Sequence, residues 1–514
     1  MTESQAPESS PAEGGKPKFH RSFWTANTTE LFERAAYYAV ASFVVIYLGR
    51  LGLGEYWPAT FNSLLWGLVY FLPILSGTIA DQVGFRRSLL VAFVLLAIGY
   101  FSMGAPVWLG FGELGPLTQP DVSAGGDVVA AVILGILLIG AGGSVIKPCI
   151  SGTVQKTAGR RATLAFAIFY MVINIGSLVG RFIAFIVRKQ LDMSFIFAVG
   201  VFFSIVSFFV VLLLYRDPEA DLPAGEKKPR KPIGRILADM VLVLRSARFT
   251  LFLLASVGFF FLYAQVYNVL PMYWERVLEF DPPVDMYTTM NPFVIVFFQL
   301  LVTHFFGKMK PINSIIVGII IISLSMLANL GPLFFCDGGV RSSVDLFAHV
   351  FPIASLVGMT TVGLVAFGEL FASARSYEYI GALAPKGQEG LFLGYANLPM
   401  ALGALSGGPI GALIFNEIMC KGATTHLDIF WAPLRSVSAQ LGAELGQPLA
   451  AAATAGPLHH AALQGPLGLL ELESGQNALG WTVLMAIGLG SAVLMLAYNI
   501  WLKRQLAKEA PESL

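Results

Sequence analysis

The stretch "TTELFERAAYYAV", Thr28 to Val40, sets two acids, a base and two phenols close together: Glu30, Glu33, Arg34, Tyr37 and Tyr38. Glu30 and Arg34 are four apart with the acid nearer the N-terminus, so they share a helical face in the order that favours an ion pair. They are expected to neutralise each other. Glu33 shares that side, three from Glu30 and four from Tyr37, but has no base at helical spacing. It is left as the carboxyl that can take up and release a proton. A structural ion pair locking this helix to its neighbours is the alternative reading, and it does not need the second acid.

Further polar groups interrupt apolar sequence downstream. Lys147 stands in "GAGGSVIKPCISG", directly before Pro148, and Glu369 lies in "VGLVAFGELFASARSYEYI". An ionisable group in hydrocarbon costs about 3 kcal/mol on insertion scales, so each needs a partner or a water-filled cavity. Lys147 can instead snorkel to a membrane face along its own stem. Glu369 is too short to do so easily, and Lys147 is its natural partner. Asn174 in "FYMVINIGSLVGR" and Asn291 in "TMNPFVIVFF" are neutral groups that can simply bond to another helix. Arg375 and Glu378, three apart, suit a structural pair. The glycines of "GAGGSV" sit in an apolar helix, where they permit close packing and are not read as a phosphate loop. No nucleotide-binding loop, metal-ligand cluster or catalytic triad is evident, so neither a cofactor nor an enzyme is expected.

The elements that must position these groups are membrane-spanning helices. The 514 residues are 56% hydrophobic and 13% charged, with 40 Phe and a mean hydropathy of +0.70. Soluble domains carry roughly 25% charged residues. Apolar runs of about 20 residues, enough to cross a core of about 30 Å, recur along the chain. Twelve spans are placed at 24–49, 56–80, 88–110, 127–151, 163–187, 194–215, 249–276, 286–306, 312–334, 346–382, 390–417 and 479–502. Arg86 and Arg87, Lys156, Arg160 and Arg161, Lys227 to Arg248, Lys308 and Lys310, Lys386, and Lys503 and Arg504 then fall on one side, which puts both termini in the cytoplasm. Arg188 and Lys189 fall on the other.

Residues 1–21 read as a disordered cytoplasmic tail, not a cleaved signal peptide, and 22–215 as a six-helix bundle. A charged, Pro-rich cytoplasmic linker, 216–248, turns amphipathic around Ile233 to Leu244. Residues 249–504 form the second six-helix bundle and 505–514 a cytoplasmic tail. The insert 421–475, with Pro448, Pro457, Pro466, His459 and His460, is expected outside the membrane as a partly helical cap, its His pair exposed and not metal-bound. Three cysteines are too few for a disulfide framework; Cys336 and Cys420, on the same outer side, are the one pair that topology allows. The fold class is an all-α integral membrane protein whose two bundles face a central cavity, a secondary transporter with its site near the midplane. The expected partners are a small-molecule substrate, protons and the lipid bilayer; no nucleic acid is implied, and the protein is expected to be monomeric.

Several segments carry a resemblance. "GTIADQVGFRR" resembles the loop between helices two and three of the major facilitator superfamily, with Gly77, Asp81, Gly84 and Arg86 in place and Phe85 where a base is usual. "ELFERAAYY" resembles the ExxER(F)xYY motif of the proton-dependent oligopeptide transporters within that superfamily, and "FYMVINIGSL" resembles their second signature. "IKPCIS", "NPFVIV" and "GELFAS" followed by "LAP" are similar to further family segments, so the match runs through spans one to eleven. The resemblance implies a major facilitator fold and proton-driven symport of di- and tripeptides by alternating access in the cell (inner) membrane. It implies proton coupling by Glu30, Glu33 and Arg34, and a cavity lined by Tyr37, Tyr38 and Tyr70. Asn174, Asn291 and Glu369 would hold the peptide amino end, and Lys147 would serve coupling and the substrate carboxylate; Lys147 and Glu369 thus belong to both sets.

The chain also departs from the family. Ala41 stands where a helix-one arginine is common, Ala264 where a helix-seven glutamate precedes Gln265, Ala396 where helix eleven carries tryptophan, and Ser373-Ala374 where Ser-Pro is usual. The first two family residues pair with each other, so their joint loss removes an interaction as a unit. The chain is therefore read as a divergent member, with transport of another small anion or zwitterion (a modified amino acid, a dicarboxylate, a drug-like compound) as the alternative and a non-transporting sensor as a third reading.

Overall fold

The computed structural model describes residues 19–115, 117–119, 121–158, 162–217, 234, 243–279, 281–346, 349–383, 395–425 and 470–509. Apolar runs without water to satisfy their backbone must close their hydrogen bonds internally, and helices do so. The first half comprises α1 (Arg21–Ala41), α2 (Val44–Arg50), α3 (Trp57–Phe71), α4 (Pro73–Val83), α5 (Phe85–Trp108), α6 (Gly126–Ala158), α7 (Ala162–Gln190) and α8 (Phe195–Leu214). The second comprises α9 (Ala247–Ala264), α10 (Val269–Tyr273) running into a π turn at Trp274–Leu278, α11 (Val284–Thr288), α12 (Met290–Phe306), α13 (Pro311–Ser325), α14 (Gly331–Phe335), α15 (Ile353–Leu383), α16 (Leu398–Leu413) and α17 (Ser474–Glu509). Among the described residues, 11 helices are long and apolar enough to cross a membrane, and α1 with α2, bent by 45°, makes a twelfth if the pair is one span.

Within the first half α5 packs on α6 and α8, and α1 on α7 and α8; within the second, α13 packs on α15 and α17, and α9 on α16 and α17. The halves meet where α3 lies along α16 and where α7 touches α11 and α12. Small residues bring helices close, as the glycine-rich stretch of α6 suggested: a Cβ on Gly142 would stand 2.7 Å from the Ala92 carbonyl of α5. Between α4 and α5, Gly84 takes φ 99°, a turn that places the Phe85 N–H 2.9 Å from Asp217 Oδ2.

Four features differ from the sequence reading. Phe19 stacks on Phe23 at 4.3 Å and Ser22 Oγ donates to the Arg216 carbonyl at 2.8 Å, so Phe19 to Arg21 belong to the folded body and not to the tail. The first span is not straight but bends around Ser42. The tenth begins at Ile353, because Ser343–Leu346 (β1) and His349–Pro352 (β2) pair as an antiparallel hairpin. Val344 and Leu346 alternate with Ser343 and Asp345, the period of a strand, which a hydropathy window averages away. Arg188, the cation on the unexpected side, is buried against carboxylates of the second half and is no free loop charge.

Thr424–Thr425 (β3) pairs antiparallel with Leu470–Glu471 (β4), so the insert leaves and returns side by side. Its residues 426–469, with the three prolines and the His pair, lie outside the described residues, as do 1–18, 510–514, Lys386 and most of the linker. Cys336 and Cys420 are free thiols, not a disulfide.

Candidate functional site

The site begins at the contact of α1 with α7. Gly176 and Gly180, four apart, let α1 approach so closely that a Cβ on Gly176 would meet the Leu31 carbonyl at 2.7 Å and Arg34 Cβ at 2.8 Å. Glu30, Glu33 and Arg34 are all buried there. Arg34 Nε and Nη2 reach Glu33 Oε2 at 2.6 and 2.5 Å, whereas Glu30 Oε1 stands 3.4 Å from Arg34 Nε. The expected Glu30–Arg34 pair is present, but Glu33, expected to have no base, takes the shorter contacts. Helical spacing compares Cβ positions, but a long guanidinium stem can fold sideways onto the adjacent acid and form the shorter, charge-assisted contacts. Glu30 Oε2 is left buried without a hydrogen-bond partner.

Aromatic rings continue inward from this cluster. The Arg34 guanidinium lies 5.0 Å from the Tyr37 ring centre, and Trp66 of α3 links Tyr37 (5.7 Å), Tyr70 (5.9 Å) and Tyr267 (4.7 Å). Lys147 Nζ stands 5.7 Å from the Tyr70 ring. Helix α6 runs unbroken through Pro148, which lacks the N–H that would bond to the Ser144 carbonyl; Ser76 Oγ donates to it instead at 2.8 Å. Lys147 lies within electrostatic range of Glu30 and Glu369. Among the described residues it forms no ion pair with either, so the contact expected between Lys147 and Glu369 is open in this conformation.

Glu369, on α15, has Asn291 and Ser373 at its side, yet Glu369 Oε2 and Asn291 Nδ2 are both buried without a partner. Asn174 Nδ2 donates to the Tyr170 carbonyl one turn back at 2.9 Å, so it bonds its own helix and not another. Arg375 binds Glu378 at 2.6 Å as a local pair. Ala41, Ala264 and Ala396 are buried, and Gln265 Nε2 donates to the carbonyls of Phe261 (2.8 Å) and Gly407 (3.1 Å), tying α9 to α16.

Sequence reasoning missed Arg181. Its side chain is 0% exposed, at the seam between the halves. Arg181 Nε donates to Thr288 Oγ1 (3.2 Å), Nη2 to the Tyr267 hydroxyl (3.1 Å) and Nη1 to Ser177 Oγ, and its guanidinium lies 4.5 Å from the Tyr38 ring centre. The rule that flagged Lys147, a base in an apolar run, applies equally to the last residue of "FYMVINIGSLVGR".

Also unforeseen is a closure at one end, built from the last turns of α2 and α7 and the segments that follow α2, α5, α10 and α16. Arg50 Nε donates to Glu275 Oε1 at 2.6 Å, and Thr118 Oγ1 donates to Glu275 Oε2 at 2.9 Å. Asp281, in left-handed backbone at φ 54°, takes Arg188 at 2.7 Å and Arg50 at 3.5 Å. Arg276 binds Glu55 and Asn416, and Tyr56 binds Glu417. Every one of these ties except that of Arg276 to Asn416 joins the first half to the second or to its loops. The sequence offers no spacing signal for them, because partners lie more than 90 residues apart.

Two helical halves, latched at one end by ion pairs and holding buried charges and aromatics between them, make a membrane transporter, not an enzyme. The chain belongs to the major facilitator superfamily, whose family model matches residues 57–377. Similar curated proteins include dipeptide and tripeptide permease A of Citrobacter koseri, 24% identical over 77% of this chain and 84% of the relative. Dipeptide and tripeptide permease B of Photorhabdus asymbiotica is 24% identical over 78% of this chain and 88% of its own length. Among solved structures, a peptide transporter POT in complex with sulfate superimposes with a TM-score of 0.62 at 18% identity, covering 94% of both chains. A POT family transporter in complex with 5-aminolevulinic acid gives 0.63 at 17% identity, covering 93% of this chain and 96% of the other. The chain is thus a divergent relative of the oligopeptide-transporter branch.

Proposed function

We propose that this protein imports di- and tripeptides by proton symport, alternating access between the two sides of the cell (inner) membrane with both termini cytoplasmic. The observation that carries the coupling is the unpartnered Glu30 Oε2 beside the Arg34–Glu33 pair: a buried carboxyl oxygen that accepts no hydrogen bond is a place for a proton. Protonation removes a buried charge and makes reorientation of the carrier less costly. Lys147 is suited to the substrate carboxylate, and Glu369 with Asn291 to its amino end, since Glu369 Oε2 and Asn291 Nδ2 are both free to bond. Tyr37, Tyr38 and Tyr70 offer rings that tolerate varied side chains, and Asn174 is a further amide for the amino end. The carrier acts as a monomer, driven by the proton gradient without a cofactor. The names of its relatives, dipeptide and tripeptide permeases, support the substrate class.

A second reading is transport of another small zwitterion or anion. The buried alanines at 41, 264 and 396, and a structural neighbour in complex with 5-aminolevulinic acid, favour it. Uptake of a panel of di- and tripeptides by purified protein in liposomes decides between them. Peptide uptake accelerated by an inward proton gradient is expected. Uptake indifferent to the gradient overturns the coupling, and failure of every peptide while small zwitterions enter overturns the substrate.

A further inference from the structure

A buried arginine normally faces a carboxylate, because an uncompensated cation in low dielectric is costly. Arg181 has no such partner: among the described residues no carboxylate lies within ion-pair distance, and it donates to the hydroxyls of Ser177, Thr288 and Tyr267 and to the Ser177 carbonyl. Hydroxyls are adaptable. Those of Ser177 and Tyr267 accept from the guanidinium here and can rotate to donate to an anion that takes their place. Two of the bonds, to Thr288 and Tyr267, cross the seam between the halves, so the guanidinium is released toward the cavity when the seam parts.

The charges of the midplane point the same way. Glu30, Glu33 and Glu369 with Arg34, Lys147 and Arg181 are three acids and three bases, so these six sum to zero when all are ionised. One bound proton then leaves an excess positive charge that a zwitterion of net zero charge cannot remove. A substrate with one additional carboxylate does. Without Arg181 the proton alone would balance the set, and a simple zwitterion would suit it.

We infer that Arg181 is an anion-binding, specificity-determining residue that takes a second substrate carboxylate, beyond the one assigned to Lys147, so that the preferred substrates are small zwitterions bearing an extra carboxylate, such as peptides with an acidic side chain. The inference rests on the proton-coupled reading above. Its chemistry suits the bidentate fork of an arginine better than a lysine point charge.

The test is competition for uptake in proteoliposomes under an inward proton gradient, with alanyl-glutamate, alanyl-alanine and alanyl-lysine. The wild-type protein is expected to bind alanyl-glutamate about tenfold more tightly than alanyl-alanine, with alanyl-lysine weakest. Arg181→Gln should erase the first difference while changing alanyl-alanine by less than about threefold, and Arg181→Lys should keep the order. Equal affinity for all three in the wild-type protein overturns the inference whether or not the variants fold. An equal loss for all three in Arg181→Gln also overturns it, since that is the signature of a seam strut. If no peptide enters at all, the peptide reading fails while the anion site is still tested. Free glutamate should then raise the melting temperature more than glutamine does, in wild type but not in Arg181→Gln, and equal shifts overturn it.

Discussion

Glu30 and Glu33 are three residues apart and both buried, yet their surroundings give them different tasks. Glu33 Oε2 receives two short contacts from Arg34, whereas Glu30 Oε2 receives none. Neutralising Glu30 by Glu30→Gln is therefore expected to abolish gradient-driven accumulation while peptide counterflow and melting temperature stay near wild type. Neutralising Glu33 removes the two short contacts and leaves Arg34 only Glu30 Oε1 at 3.4 Å; breaking a buried pair costs about 3–5 kcal/mol, so Glu33→Gln should melt at markedly lower temperature and lose counterflow as well. Parallel counterflow and melting measurements on the two variants check this; accumulation surviving in Glu30→Gln would sink the assignment. The candidate residues themselves were legible, because a charge in an apolar run has few reasons to exist. Which oxygen Arg34 would choose was not, since side-chain reach depends on how α7 presses on α1.

At the scale of helices, closeness is set by glycine. A Cβ on Gly180 would strike the Ala35 backbone, and Gly176 is similarly confined, so the face of α1 that carries the charges is held by this contact. Gly180→Leu is expected to destabilise by on the order of 1–3 kcal/mol through overpacking. Gly490→Leu in α17, where an added Cβ meets nothing, is the control and should melt like wild type. Thermal melts in detergent compare the two, and an unshifted Gly180→Leu would show that α1 and α7 are not locked. The helices were legible from the length of their apolar runs, since hydrocarbon admits little else. The breaks were not: the bend at Ser42, the interruption at Gln265 to Asn268 and the β1–β2 hairpin preserve mean hydropathy while changing the path of the backbone. Two of those breaks lie at the seam between the halves. Ser42 Oγ lies 2.8 Å from Thr288 Oγ1, and Asn62 Nδ2 donates to the Tyr267 carbonyl at 3.1 Å, so both bonds cross the seam at an interrupted helix.

For the whole molecule, alternating access as proposed above requires the ion pairs at one end to break each time the carrier opens there, so their strength is expected to set the resting conformation. Removing one partner should matter more than removing a surface charge, because Glu275 is buried and Arg50 nearly so. Arg50→Ala is expected to shift the population toward the state open at that end, read as a longer distance between spin labels on the segments that follow α2 and α10. Glu279, next to this closure in sequence, is expected to make it sensitive to pH. It follows the π turn that carries Glu275 and Arg276, and its Oε1 accepts from the Tyr287 hydroxyl at 2.8 Å. Burial raises its carboxyl above the ordinary carboxylate value, and the neighbouring Ser355 hydroxyl and the bond from Tyr287 offset this only in part. The closed end therefore binds a proton at pH values where a solvated carboxyl has lost it. Its full stability is present at pH below the ordinary carboxylate value and is lost as pH rises through the raised one. Asp281 and Asp285 face Arg188 nearby, so the Glu279→Gln variant is what separates its part from theirs. The spin-label distance is expected to lengthen as pH rises in the wild-type protein and to become insensitive to pH in Glu279→Gln. A distance that does not move with pH in the wild-type protein, or that moves equally in both, would remove Glu279 from the closure.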